Sequence, residues 1–267
     1  MDRLKELFQG YNSLNVLPIA FVLIGNFSSE TPRADNIDAL DKYKANFDAL
    51  ADSLLPMTRL TEYSHFVIVP GPNDPFFVPN MSAPRPPIPL MLTGKLGNVV
   101  KKLHLTSNPC RVYYAAQEIV VYRDTLMARL RQSAVLQPKL RQGSEYDNLA
   151  GDDIELSFSS MAHSILAQAT LSPLPLRNRP IMWNQDHCFR LYPIPDVIVQ
   201  ADPSIPTLAK QLKADEDDNR GCWVCNPSGW ADGRQWRFWV YFPAKRTMQL
   251  SALGQSGTTV TINTSTS

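Results

Sequence analysis

The stretch His65-Phe-Val-Ile-Val-Pro-Gly-Pro-Asn-Asp-Pro75 constrains what this chain can fold into more than any other. Apolar, mostly β-branched residues run unbroken into Pro70-Gly71-Pro72, and two polar residues follow at once. A run of that length and composition reads as a strand buried on both faces, the usual condition of a strand inside an α/β sheet. Such sheets gather their sites in the loops outside the carboxyl ends of the strands. Asn73 and Asp74 are therefore the first candidate site residues.

The flanking segments supply the rest of the unit. After Pro18, the apolar run 19–24 ends at Gly25-Asn26 and has the length of a second buried strand. Between the two, Ile37, Leu40, Tyr43, Phe47, Leu50, Leu54 and Leu55 recur at helical spacing. Asp35 or Asn36 is the candidate cap, and Pro56 ends the run. Strand–helix–strand predicts two parallel neighbours joined by a right-handed crossover. Upstream, Leu4, Leu7 and Phe8 predict a short helix stopping near Gly10.

Downstream, residues 75–97 are Pro-rich and read as an ordered loop or a short helix weakened by glycine. Cys110–Ala115 and Glu118–Tyr122 read as paired strands, followed by a helix from Asp124 to about Gln132. The polar run 141–153 reads as a surface insertion, and Ala162–Ala169 as a short helix. A strand is expected over Asp196–Ala201, an acidic loop over Asp215–Asp218, and strands around Cys222–Asn226 and Trp236–Phe242. The Ser/Thr/Gly-rich tail, 254–267, is expected to be disordered, leaving residues 1–253 as one domain.

Composition removes several classes of function. A chain of 267 residues with 44% hydrophobic content can bury a large core. The balance of 26 Lys+Arg against 25 Asp+Glu leaves +1, without the basic footprint of a free-standing nucleic-acid binder. Four cysteines are too sparse for a secreted disulfide framework and read as reduced thiols. The charged N-terminus does not suit a signal peptide, and no apolar run approaches the ~20 residues of a membrane span. An intracellular, soluble chain with no membrane partner is the expectation.

Other chemistry-bearing patterns have bland readings. Cys222-Trp-Val-Cys225 is a lone C-x-x-C without a second ligand pair, in a pattern that suits a strand better than zinc. His187, in Gln185-Asp-His-Cys188, is flanked by Trp183, Phe189 and Leu191 and reads as a packed structural residue. The aromatics between Trp223 and Phe242 lack the interleaved basic residues of a base-stacking surface and suit core or partner packing. Neither G-x-S-x-G nor a Walker loop occurs.

Three strand-end loops have the order and setting of the calcineurin-like metallophosphoesterase loops, and this implies their fold: an α/β sandwich of mixed β-sheets flanked by helices. Active members hold two divalent ions about 3.5–4 Å apart with carboxylates and imidazoles. Here the Asp position of the first loop holds Asn26, a neutral amide. The Asn and His positions of the second hold Pro72 and Asn73, beside Asp74. The two His positions of the third hold Asp202 and Ser204, and Thr170 stands where an intervening loop carries a further His. No metal, cofactor or catalytic residue is expected from so depleted a set. The alternative is a divergent metal-dependent phosphodiesterase using Asp74, Asp202 and His187.

Degenerate loops on an intact scaffold resemble one family closely, the B-subunits of DNA polymerase epsilon. The resemblance is carried by Phe21-Val-Leu-Ile-Gly-Asn-Phe-Ser-Ser29, Phe66–Pro75, Thr106-Ser-Asn-Pro-Cys-Arg111, Gln117-Glu-Ile-Val-Val-Tyr-Arg123, Leu171-Ser-Pro-Leu-Pro-Leu176, Leu191-Tyr-Pro-Ile-Pro-Asp196 and Asn226-Pro-Ser. It implies a non-enzymatic accessory subunit of a nuclear, leading-strand DNA polymerase. Its implied partners are the zinc-binding C-terminal region of the catalytic subunit, replicative helicase components and, indirectly through the holoenzyme, DNA. It also implies that residue 1 falls just after the first strand of the phosphoesterase domain. An N-terminally truncated domain without the family's OB-fold is thus expected, acting through its surface.

Overall fold

The computed structural model describes residues 2–14, 17–32, 36–75, 84–134, 151–213, 221–232, 235–253 and 259–262. Helix α1 (Asp2–Ser13) precedes strand β1 (Ala20–Ile24). It runs past Gly10, where nothing lies within 4 Å of an added Cβ, because Phe8 and Tyr11 both pack edge-on against Phe21. Helix α2 (Ile37–Leu54) starts where the side chain of Asn36 accepts the Ala39 N–H at 3.1 Å. Ala39, Tyr43, Phe47, Leu50, Ala51 and Leu54 form its buried stripe. After α3 (Thr58–Tyr63), strand β2 (His65–Val69) pairs parallel to β1 with Phe21 opposite Phe66, as strand–helix–strand predicts.

The described end of the Pro-rich region forms a helix, α4 (Leu90–Val99), opened by Pro89, and residues 76–83 lie outside the described residues. Strand β3 (Leu103–Leu105) then pairs parallel to β2, completing a sheet of order β1-β2-β3. Sequence reading missed β3, since Leu-His-Leu is too short to show a period.

A second sheet has the order β4-β5-β6-β8-β7. Its first hairpin is β4 (Cys110–Tyr114) and β5 (Gln117–Arg123), turning through Ala115 and Ala116, both at positive φ. Helices α5 (Leu126–Ser133) and α6 (Gly151–Ala167) follow, then a short 3-10 helix at Trp183–Cys188. Strand β6 (Val197–Ala201) lies parallel to β5, with Arg123 opposite Ala201. Strand β7 (Leu208–Leu212) runs antiparallel to β8 (Cys222–Asn226), which is parallel to β6.

The expected short helix at 162–169 is α6, eleven residues longer at its N-terminal end, since it starts at Gly151. Phe158, Met161, Ala162 and Ile165 make one buried stripe, and the polar residues before them disguised the helix start as insertion. The rest of that insertion, and the acidic loop 215–218, lie outside the described residues.

The chain ends in a third sheet, antiparallel, of order β12-β11-β10-β9, built from β9 (Ala231–Asp232), β10 (Gln235–Phe242), β11 (Thr247–Leu253) and β12 (Thr259–Ile262). β12 falls within the stretch expected to be a polar tail; its Thr-Val-Thr-Ile alternation is β-branched throughout and pairs with residues 250–253.

The layers follow from strand alternation. Phe66 and Ile68 of β2 face a core shared with α1–α4, whereas Val67 and Val69 face Cys110 and Val121 of the second sheet. On that sheet Val120, Tyr122, Ile198 and Val224 face the other way, onto α5 and α6. The order is helices, sheet, sheet, helices, and the parallel strands of both sheets end at one edge. Phe47, 2% exposed, sits in the first helical core. Phe47→Ala is expected to cost about 3–5 kcal/mol, read as a lower denaturation midpoint at unchanged slope.

Candidate functional site

The loops at that shared edge hold most of the candidate residues. Two glycines allow the first two loops to meet. A Cβ on Gly71 would lie 2.3 Å from Asn26 Oδ1 and 2.6 Å from the Gly25 carbonyl carbon, and one on Gly25 would lie 2.0 Å from Asp74 Oδ2. No side chain fits either position. Asn26 accepts the Asn73 N–H at 2.9 Å and so ties one loop to the other.

Asp74 is 1% exposed, and both of its oxygens accept hydrogen bonds. Its Oδ1 accepts the Phe27 N–H at 3.0 Å and its Oδ2 the Gly71 N–H at 2.6 Å. Burial pushes its carboxyl above the ordinary 3.8, although those N–H groups and the charge of Arg123 pull the other way. Beside it the hydroxyl of Tyr43 is fully buried and meets no partner in good hydrogen-bond geometry. Burial first, and the neighbouring carboxylate second, hold that hydroxyl protonated.

Asp202, 0% exposed, is equally committed. Its Oδ2 accepts the Met127 N–H at 3.0 Å, capping α5 from outside the helix, where Thr125 offers no side-chain cap. Its Oδ1 accepts the Ser204 N–H at 2.9 Å and the Ser204 hydroxyl at 2.6 Å, so Ser204 closes a local turn. The loop is held from below by the buried Asn226, whose Nδ2 donates to the carbonyls of Asp202, Ile205 and Pro206 and whose Oδ1 accepts the Asp202 N–H.

The centre of the edge is cationic. Arg123 ends β5 at 8% exposure; its Nε donates to the Gly25 carbonyl at 2.7 Å and its Nη1 to the Ala201 carbonyl at 3.1 Å. One guanidinium thus joins the ends of β1, β5 and β6 across both sheets. Burial lowers its pKa, and Asp202, Asp124 and Asp74 raise it again. Asn108 fixes its backbone, donating to the Arg123 carbonyl at 2.8 Å and accepting its N–H at 3.0 Å. Alongside, Asp124 forms a buried ion pair with Arg179 and accepts from the Tyr122 hydroxyl. Arg85 donates to the carbonyl of Pro72 at 3.2 Å, so this candidate position too meets an arginine.

Asp74, Asp124 and Asp202 therefore face Arg85, Arg123 and Arg179, with charges in balance. Each carboxylate accepts from backbone N–H groups, a hydroxyl or a guanidinium. Among the described residues no three His, Cys, Asp or Glu side chains gather as a metal site. An arrangement of this kind braces the fold.

The remaining candidates stand apart from this cluster. Thr170 follows α6, pairs with Arg190 and accepts the Ser172 N–H at 3.4 Å. His187 is not packed, as its neighbours suggested: it is exposed on the 3-10 turn, while Phe189 and Leu191 alone go into the core. Cys222 and Cys225 are both buried and, three apart on β8, point to opposite faces. Burial pushes the Cys222 thiol up to about 12. Sequence reading missed Arg85, Asn108, Arg123, Asp124, Arg179 and Asn226 as site-edge residues. A signal existed for some, since Asn108, Arg123 and Asn226 each lie inside a block that carries the family resemblance.

Comparison with known proteins decides the family. The family described as the B-subunit of DNA polymerases alpha and epsilon is matched over residues 1–210. The chain belongs to that family. Its relatives include the DNA polymerase epsilon B-subunit of Arabidopsis thaliana, 32% identical over 253 residues, covering 95% of this chain and 44% of that protein. The corresponding B-subunit of Schizosaccharomyces pombe is 30% identical over 247 residues, 91% of this chain and 40% of its own length. The human DNA polymerase epsilon subunit 2 is 32% identical over 253 residues, 95% and 42% respectively. The chain spans less than half the length of these three relatives.

Two outcomes test the site. Arg123→Met is expected to destabilise the protein by about 3–5 kcal/mol in chemical denaturation, since it leaves buried carboxylates without their cation. The second is a pH effect. Because the folded Asp74 pKa lies above its unfolded value, the native state holds more protons in that interval. The stability difference between wild type and Asp74→Asn is then expected to be largest in favour of wild type below about pH 4 and to fall as pH rises through the folded pKa. Denaturation midpoints across pH 3–8 check the sign.

Proposed function

We propose that the chain is a non-catalytic accessory subunit of a DNA polymerase epsilon complex, acting in replication in the nucleus. One observation carries this reading beyond the family name: the strand-end carboxylates are already occupied by internal partners. A scaffold whose site edge has become a brace performs its function through its surface. Descent from a calcineurin-like phosphoesterase accounts for the position of Asn26, Pro72, Asn73, Asp74, Asp202 and Ser204 at the ends of parallel strands.

The partner we assign is the zinc-binding C-terminal region of the catalytic subunit, with replicative helicase components contacted from the same complex and DNA reached through the holoenzyme. The exposed surface supports a protein contact. Tyr192, Tyr113 and Trp183 are 91%, 71% and 68% exposed. Tyrosine, tryptophan and arginine dominate binding energy at protein interfaces, and Arg111 ties this region together by donating to the carbonyl of Arg190.

Co-purification of tagged residues 1–267 with the C-terminal region of the catalytic subunit tests the proposal. A complex that survives gel filtration is expected, weakened at least tenfold by Tyr192→Ala combined with Trp183→Ala. No complex, in the presence of a folded chain, would remove the reading.

A further inference from the structure

Two of the chain's four histidines meet on the first sheet. His65 opens β2 and His104 is the middle residue of β3. The strands are parallel with Val67 opposite His104, so His65 lies two residues along and shares its face. On β2 that face is the one Val67 and Val69 turn toward the second sheet, whereas Leu103 and Leu105 of β3 turn into the helical core. Nδ1 of His65 lies 2.8 Å from Nε2 of His104, with the rings inclined by 16° and their centroids 5.1 Å apart. His65 is half-buried and His104 exposed, so solvent reaches the pair.

The backbone holds both imidazoles in place. The Phe66 N–H donates to the Lys102 carbonyl at 2.9 Å and the Thr106 N–H to the Ile68 carbonyl at 3.0 Å. Side chains rooted on hydrogen-bonded strands are positioned more precisely than side chains on loops. Contact at this distance requires one ring to donate and the other to accept, so at least one is neutral. Burial first, then His104 and Lys102, lower the His65 pKa and favour the neutral ring, the form that ligates metals. Among the neighbouring charges, Lys101 pairs with Glu62 at 2.5 Å and Lys102 donates to the Tyr63 carbonyl at 3.1 Å. Lys102 repels any cation bound beside it, so the binding energy must come from the two nitrogens. That selects a transition ion over Mg²⁺ or Ca²⁺, which take oxygen ligands.

The spacing selects further. Metal–imidazole bonds of about 2.0–2.1 Å put two nitrogens about 2.8–3.0 Å apart at a right angle, and about 3.3–3.4 Å apart at the tetrahedral angle. The 2.8 Å between these nitrogens matches the right angle. Right-angled nitrogen pairs suit the tetragonal ions Cu(II) and Ni(II), and Cu(II) is the tighter binder of the two. We infer that His65 and His104 form a two-nitrogen chelate for a divalent transition ion of tetragonal geometry, Cu(II) foremost, with water in the remaining positions. On binding, the proton between the rings passes through solvent to the far nitrogen of its own imidazole, so two neutral rings face the ion. The ion then ties β3, three residues long, to β2. This inference stands apart from the proposed function and is read separately.

Residues 1–267 are titrated with Ni(II) by calorimetry, and with Cu(II) under electron paramagnetic resonance. One site per chain is expected, with a Cu(II) spectrum split by two nitrogens and a thermal midpoint raised by the metal. His65→Gln and His104→Gln are each expected to weaken Ni(II) binding by about tenfold or more, because a chelate becomes a single contact. His187→Gln, on the exposed 3-10 turn, is expected to change nothing. Should a variant unfold, modification of wild-type histidines by diethyl pyrocarbonate decides: Ni(II) is expected to protect His65 and His104 and to leave His187 reactive. Binding undiminished in both variants, or no protection of the pair, overturns the proposal and leaves an adventitious ion only. A wild-type chain that binds neither metal overturns it as well.

Discussion

The rest of the structure hangs on one buried guanidinium. Arg123 closes the ends of β1, β5 and β6 with two hydrogen bonds to carbonyls, and those strands belong to two different sheets. A buried cation is costly unless it is paired and hydrogen-bonded. Asp74, Asp124 and Asp202 supply the negative charge around it. Each of those carboxylates in turn organises a loop: Asp74 the Gly71 turn, Asp202 the start of α5, Asp124 the side chain of Arg179. Removing the cation would affect every loop at that edge together.

On the proposed descent from a phosphoesterase, the same brace accounts for a fold kept without its chemistry. Metal ions bind two or more strand-end loops through charge, and a loop set that loses its ligands loses that tie. Here arginines are the positive charges at the strand-end edge, delivered covalently by the chain. Their grip is directional, because guanidinium hydrogens aim at particular carbonyls. Gly25 and Gly71 are glycine for a steric reason that does not depend on catalysis: two backbones pass within contact distance.

On the proposed function, the surface makes the contacts. The exposed aromatics lie near Tyr113 and Tyr192, Tyr113 belonging to the second sheet. Near-neutral net charge suits this use, for it neither repels protein partners nor attracts nucleic acid at long range.

By itself the sequence determined the parallel β1–β2 unit, the β4–β5 hairpin and the strands around 197–201 and 222–226, because continuous β-branched runs and sharp turns are local signals. It also placed Asn26, Asp74, Asp202 and Ser204 at strand ends. It did not show β3, too short for a period, or the first turns of α6, whose polar residues look like loop until Phe158 and Ile165 are packed. Nor did it show that His187 lies on the surface while its neighbours are buried. Only the tertiary structure decided what fills the strand-end edge. Arg85, Arg123 and Arg179 lie far apart in sequence, and an arginine's partners are set by long side chains converging in three dimensions. Spacing along the chain holds no record of that convergence.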